Sequence, residues 1–137
     1  MKIELNRVND AVHFEAKGSG NVKVHIDGSD AIGGKGLGVR PMELVLMALG
    51  SCSSLDLISI LKKQRQEITD FAVEVSGERR EKIPTIFTKI HILFCLKGKI
   101  DQEKAEKAAE LAVKKYCSVH DMLAAGGVEI TYSLEIS

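Results

Sequence analysis

Blocks of like charge are missing from this chain. Nineteen lysines and arginines balance nineteen aspartates and glutamates over 137 residues, and they are scattered. No basic stripe is available for nucleic acid or an anionic membrane, so neither is expected as a partner. A charged n-region with an apolar h-region is missing too. Met1-Lys2-Ile3-Glu4-Leu5 leads straight into alternating residues, and no signal peptide is expected. The most apolar stretch, Leu44 to Leu61, holds Ser51, Ser53, Ser54, Ser59 and Asp56, which is wrong for a lipid-facing span. No CxxC or HxxxH pair is present, which argues against zinc, and no metal is expected. The segment GGKGLG matches neither a phosphate-binding P-loop nor a dinucleotide fingerprint, so no nucleotide cofactor is expected. Three cysteines without an export signal fit a reducing compartment, and the cytoplasm is the expected location.

What is present reads as one globular domain over residues 1–137, with 45% hydrophobic residues. Ile3 and Leu5, then Val12, Phe14 and Ala16, then Val22, Val24 and Ile26 alternate with polar neighbours. They predict a meander of three short strands with one buried face. Residues 27–38, with five glycines and no periodicity, predict a flexible loop. Pro41 opens a helix expected to reach about Arg65. From Leu44 to Leu49 it is apolar on every side, so it should be buried all round, by a wrapping sheet or by a second subunit. Phe71, Val73 and Val75, then Ile90, Ile92, Phe94 and Leu96, predict two strands joined through Glu81 to Thr85. Asp101 should cap a helix whose apolar stripe is Ala105, Ala108, Ala109, Ala112 and Val113, ending near Tyr116. Another turn follows to Gly126, and Val128 to Ile136 predict a last strand. The order is that of an α+β fold with an antiparallel-rich sheet.

Two cysteines stand out. A buried free cysteine most often packs as a small hydrophobe. Cys52, however, is flanked by Ser51, Ser53 and Ser54 where packing alone would favour alanine or leucine. Cys117 follows a helix and lies three residues before His120, which permits a metal site or an imidazole lowering the thiol pKa. The bland alternative is a packed cysteine beside a solvated histidine. Cys95 sits in a well-alternating strand and needs only packing to explain it. His13, His25 and His91 read as surface or edge groups.

The run from Pro41 to Cys52 (PMELVLMALGSC) resembles the proline-to-cysteine helix of the OsmC/Ohr proteins. Lys115-Tyr116-Cys117-Ser118-Val119 resembles the segment carrying their second cysteine. Gly77-Glu78-Arg79-Arg80, Pro84 and Phe87-Thr88-Lys89-Ile90 are similar to the OsmC-like branch. The resemblance implies antiparallel-rich sheets around long central helices in an intertwined homodimer, with sites at the subunit interface. It also implies reduction of organic hydroperoxides in the oxidative stress response. Cys52 would be the peroxidatic cysteine and Cys117 the resolving one, with no cofactor. A dithiol, lipoyl or thioredoxin-type partner would reduce their disulfide.

Two positions depart from the family pattern. The organic-hydroperoxide branch has a glutamate directly after the helix-opening proline. Here that position is Met42, and Glu43 follows. At about 100° per residue, nine positions place Glu43 opposite Cys52 on a straight helix. The family's N-terminal arginine falls where this chain has Glu15, with Arg40 as the substitute able to pair with Glu43 and Arg7 behind it. Arg40 and Glu43 are the candidates for orienting substrate or stabilising the thiolate. Asp56, one turn beyond Cys52, would raise its pKa if unpaired. The competing reading is a small-ligand-binding or redox-sensing protein on the same scaffold, without efficient turnover.

Overall fold

A computed structural model describes residues 1–137. The elements are β1 (Glu4–Arg7), β2 (Phe14–Lys17), β3 (Lys23–Ile26), α1 (Pro41–Lys63), β4 (Glu67–Arg79), β5 (Phe87–Lys99), α2 (Gln102–Glu110), α3 (Ser118–Ala125) and β6 (Glu129–Ile136). They form two compact units, residues 1–45 and 46–137, with α1 running across the boundary. The chain is α+β, and the predicted element order holds throughout.

In the first unit, β1, β2 and β3 form an antiparallel meander. Leu5, Ala16 and Val24 lie side by side on one face of it. Of these only Ala16 is buried, whereas Leu5, Val22 and Val24 stay exposed, so the chain itself does not bury the expected face. Pairing of β2 with β3 sets Glu15 opposite His25 and brings the two imidazoles together, His13 Nε2 lying 2.9 Å from His25 Nδ1. These histidines are therefore partners across the strands rather than isolated edge groups.

The expected flexible loop is instead organised around one carboxylate. Asp27 is buried, and its Oδ1 accepts the Gly28 N–H at 2.8 Å. Its Oδ2 accepts the N–H groups of Lys35 and Leu37 at 2.9 and 3.1 Å. The Lys35 and Leu37 donors hold its pKa below the ordinary carboxylate value, against the opposing effect of burial. Asp27 N–H also donates to Val39 O, and Val39 N–H to His25 O, so the chain returns beside β3 before the helix begins.

In the second unit, β4 and β5 form a long antiparallel pair, and β6 adds to the other edge of β5 in parallel. The parallel partner follows from the helical crossover between β5 and β6. Alternate residues Ile90, Ile92, Phe94 and Leu96 are buried on one face of β5. Leu49, Leu57 and Leu61 of α1 and Ala105, Ala108, Ala109, Ala112 and Val113 complete the core. Asp101 caps α2 as expected, its Oδ1 accepting the Lys104 N–H at 2.9 Å. Leu111–Tyr116 widen into a π-helical turn, closed by Cys117 N–H donating to Ala112 O at 3.1 Å. Arg79 Nε donates to Thr85 O at 2.6 Å and Arg80 Nε to Pro84 O at 2.7 Å, so the GERR run staples the β4–β5 connection.

Within the single chain, burial of α1 is one-sided. Met47, Leu55 and Ile58 are exposed, Leu55 by 70%. On the packed side, Gly50 brings the helix close to β4. A Cβ at position 50 would lie 2.7 Å from Val75 Cγ2, and a β-branched strand residue has little freedom to yield. Replacing glycine in a helix by alanine ordinarily gains about 1 kcal/mol, while overpacking a core costs about 1–3 kcal/mol. Gly50→Ala is expected to lose about 1 kcal/mol in urea unfolding. A stability raised by the full helix gain would disprove the close approach.

Candidate functional site: a thiol pair beside a buried serine

The site grows from two helix features in the second unit. On α1, Cys52 is half-buried and Ser53 next to it is fully buried. At the other end of the sequence the π-helical turn delivers Cys117 to the start of α3, where it is 2% exposed. There its sulfur acts as the helix cap, accepting the His120 N–H at 3.3 Å. Ser53 Oγ donates to the same sulfur at 3.4 Å. Cys52 lies near enough to Cys117 to bear on its titration. The fold thus brings together the two cysteines marked out by sequence.

The surroundings of Cys117 pull in opposite directions. Burial raises its pKa most strongly, since a thiolate loses hydration there. Hydrogen bonds from Ser53 Oγ and His120 N–H favour the thiolate, while the neighbouring Cys52 favours the thiol. The net direction is upward, so Cys117 holds its proton beside a more accessible Cys52.

His120 enters this site by its backbone. Its ring nitrogen Nδ1 lies 3.4 Å from Asp121 Oδ1, so the imidazole is not the group that touches the sulfur. Cys95 stands apart on β5, with its sulfur 4.0 Å from Glu135 Oε2. Burial, then Glu135 and Glu74, raise its pKa. Arg40 and Glu43 belong to the first unit. Glu43 Oε1 accepts the Arg40 backbone N–H at 2.9 Å, the carboxylate half of a capping box at the start of α1. No three His, Cys, Asp or Glu side chains gather at metal-binding distance. Sequence marked Ser51, Ser53 and Ser54 only as a group, because three neighbouring serines look alike until their hydroxyl partners are known.

The model of the family described as OsmC-like protein matches residues 33–133, which include the whole of the thiol site. The chain belongs to the OsmC-like family. It is 45% identical over 97 residues to the protein YhfA of Escherichia coli K12, covering 70% of this chain and 72% of that protein. A crystal structure of a hypothetical protein from Aquifex aeolicus VF5 is 34% identical. It covers 99% of this chain and 96% of its own, with a TM-score of 0.82. The fold is shared with the organic hydroperoxide resistance protein OhrB of Bacillus subtilis, at 24% identity and a TM-score of 0.61. That match covers 98% of this chain and 96% of the other.

The two thiols should therefore differ in chemical access. Alkylation with iodoacetamide near neutral pH, followed by peptide mass mapping, is expected to modify Cys52 well before Cys117. Cys117 should catch up only above the ordinary thiol range, because its raised pKa retains the proton. Equal rates at neutral pH would contradict the burial of Cys117.

Proposed function

We propose that this OsmC-like protein is a cytoplasmic thiol peroxidase that reduces organic hydroperoxides. The observation that carries the reading is the pairing of a reachable Cys52 with a buried, hydrogen-bonded Cys117 from a distant part of the chain. Support comes from the family and from the fold shared with organic hydroperoxide resistance proteins. The Cys52 thiolate attacks the distal peroxide oxygen, the O–O bond breaks, and an alcohol leaves after taking up a proton. Cys52 becomes a sulfenic acid. Cys117 condenses with it to a disulfide and releases water. A dithiol, lipoyl or thioredoxin-type reductant attacks the disulfide and restores both thiols. The apolar stretch of α1 that leads into Cys52 favours bulky or hydrophobic peroxides.

A second copy of the chain is the proposed cover for the open side of α1, where Met47, Leu55 and Ile58 are exposed. Light scattering should then give twice the chain mass, and a monomer would remove the proposed cover.

One observation favours a rival reading, a redox sensor oxidised once per stress event. Burial holds Cys117 protonated, which slows its attack on a sulfenic acid. Steady-state consumption of cumene hydroperoxide with dithiothreitol separates the two. Sustained turnover is expected, falling to background in Cys52→Ser. Cys117→Ser should accumulate a Cys52 sulfenic acid that dimedone labels. A single stoichiometric oxidation without turnover would replace the peroxidase with the sensor.

A further inference from the structure

Three serines crowd one stretch of α1, and their hydroxyls are used differently. Ser51 Oγ donates to Met47 O at 2.7 Å, and Ser54 Oγ to Gly50 O at 2.7 Å. This back-bonding to the preceding turn is the ordinary habit of a helical serine. Ser53 departs from it. Its side chain is fully buried, and its hydroxyl reaches Cys117 Sγ at 3.4 Å, across 64 positions of sequence.

A buried hydroxyl normally finds a strong acceptor, and a neutral thiol sulfur is a weak one. A thiolate is far stronger, because the hydrogen bond becomes charge-assisted. The same sulfur accepts the His120 N–H at 3.3 Å in the first turn of α3, where the helix dipole also favours negative charge. Two donors fixed in a dry site are arranged for charge that develops on that sulfur during reaction, and less for the resting thiol.

We propose that Ser53 is the hydrogen-bond donor that turns Cys117 into the resolving thiolate once Cys52 has been oxidised. This rests on the peroxidase reading and adds an order of events to it. Burial does most to keep Cys117 protonated, and a negative charge on the neighbouring Cys52 adds to it. A hydroperoxide converts Cys52 to an uncharged sulfenic acid, and the part of that restraint due to its charge disappears while burial remains. Ser53 and His120 remain as the donors to Cys117 Sγ. Cys117 gives up its proton and its sulfur attacks the Cys52 sulfur. The S–S bond forms as the sulfenic S–O bond breaks, and the departing hydroxide leaves with the proton as water. The Cys52 sulfur is reduced, the Cys117 sulfur is oxidised, and no further oxidant is consumed. Ser53 itself neither gains nor loses a proton overall.

The role can be read without peroxide. In a Cys95→Ser background, dithiobis-nitrobenzoate reacts at accessible Cys52 and releases one thionitrobenzoate. Cys117 then displaces the second from the mixed disulfide, and the rate of that second release reports its nucleophilicity. Ser53→Ala is expected to slow the second release about tenfold, from loss of a hydrogen bond to a charged group. The midpoint of its pH dependence should move upward. Ser53→Thr, which keeps the hydroxyl, should restore both. If Ser53→Ala does not fold, Ser53→Gly carries the same expectation. An alanine or glycine variant with the parent's rate and midpoint would overturn the proposal, as would a threonine variant as slow as alanine. Failure of the peroxidase reading looks different: cumene hydroperoxide would form no disulfide, while the second release still depended on Ser53.

Discussion

Helix α1 lies close on β4 because position 50 carries no side chain. Nearly every useful property of the second unit depends on that approach. The helix arrives with Leu49, Leu57 and Leu61 fully buried, and Ser53 is carried inward with them. A bulkier residue at the crossing would lift the helix from Val75 and draw Ser53 away from Cys117. The apolar contacts and the polar contact are therefore one constraint. Dispersion and water exclusion set the spacing, and that spacing lets a hydroxyl reach a sulfur through a core that otherwise holds few polar groups.

The resulting thiol pair is asymmetric. One sulfur retains access to solvent, while the other is enclosed, capped and served by two donors. Burial and hydrogen bonding oppose each other at Cys117, and such opposition makes a group sensitive to small electrostatic changes nearby. Here one such change is available on Cys52, whose charge bears on Cys117. The same chain thus holds a reactive position and the device that responds to it, on elements separated by the whole of β4, β5 and α2.

Much of this was legible in the sequence, for identifiable reasons. Alternation in β4 and β5, Asp101 before an alanine stripe, and Pro41 at the head of an apolar run are local signals, and each element formed where its signal lay. Cys52 and Cys117 were recognisable from the motifs around them. What escaped were long-range contacts. Asp27 organises residues eight and ten positions ahead through backbone N–H groups, which leave no side-chain pattern to read. His13 and His25 meet only through strand register. The all-round apolar character of α1 was real, but composition states that a surface is apolar without naming what will cover it. Ser53 escaped for a related reason, since its meaning lies in a partner 64 residues away.

The parallel placement of β6 has a consequence for how the chain reaches this state. β5 carries Ile90, Ile92, Phe94 and Leu96 on one face and needs a neighbour on each edge, but only β4 precedes it in synthesis. Its second edge stays open until α2, the π-helical turn and α3 have formed and Glu129–Ile136 can pair with it. During that interval the most apolar strand presents unpaired N–H and C=O groups, the usual template for joining another chain. The crossover that carries Cys117 into place is thus also what delays closure of the sheet, and the vulnerable moment of folding coincides with assembly of the thiol site.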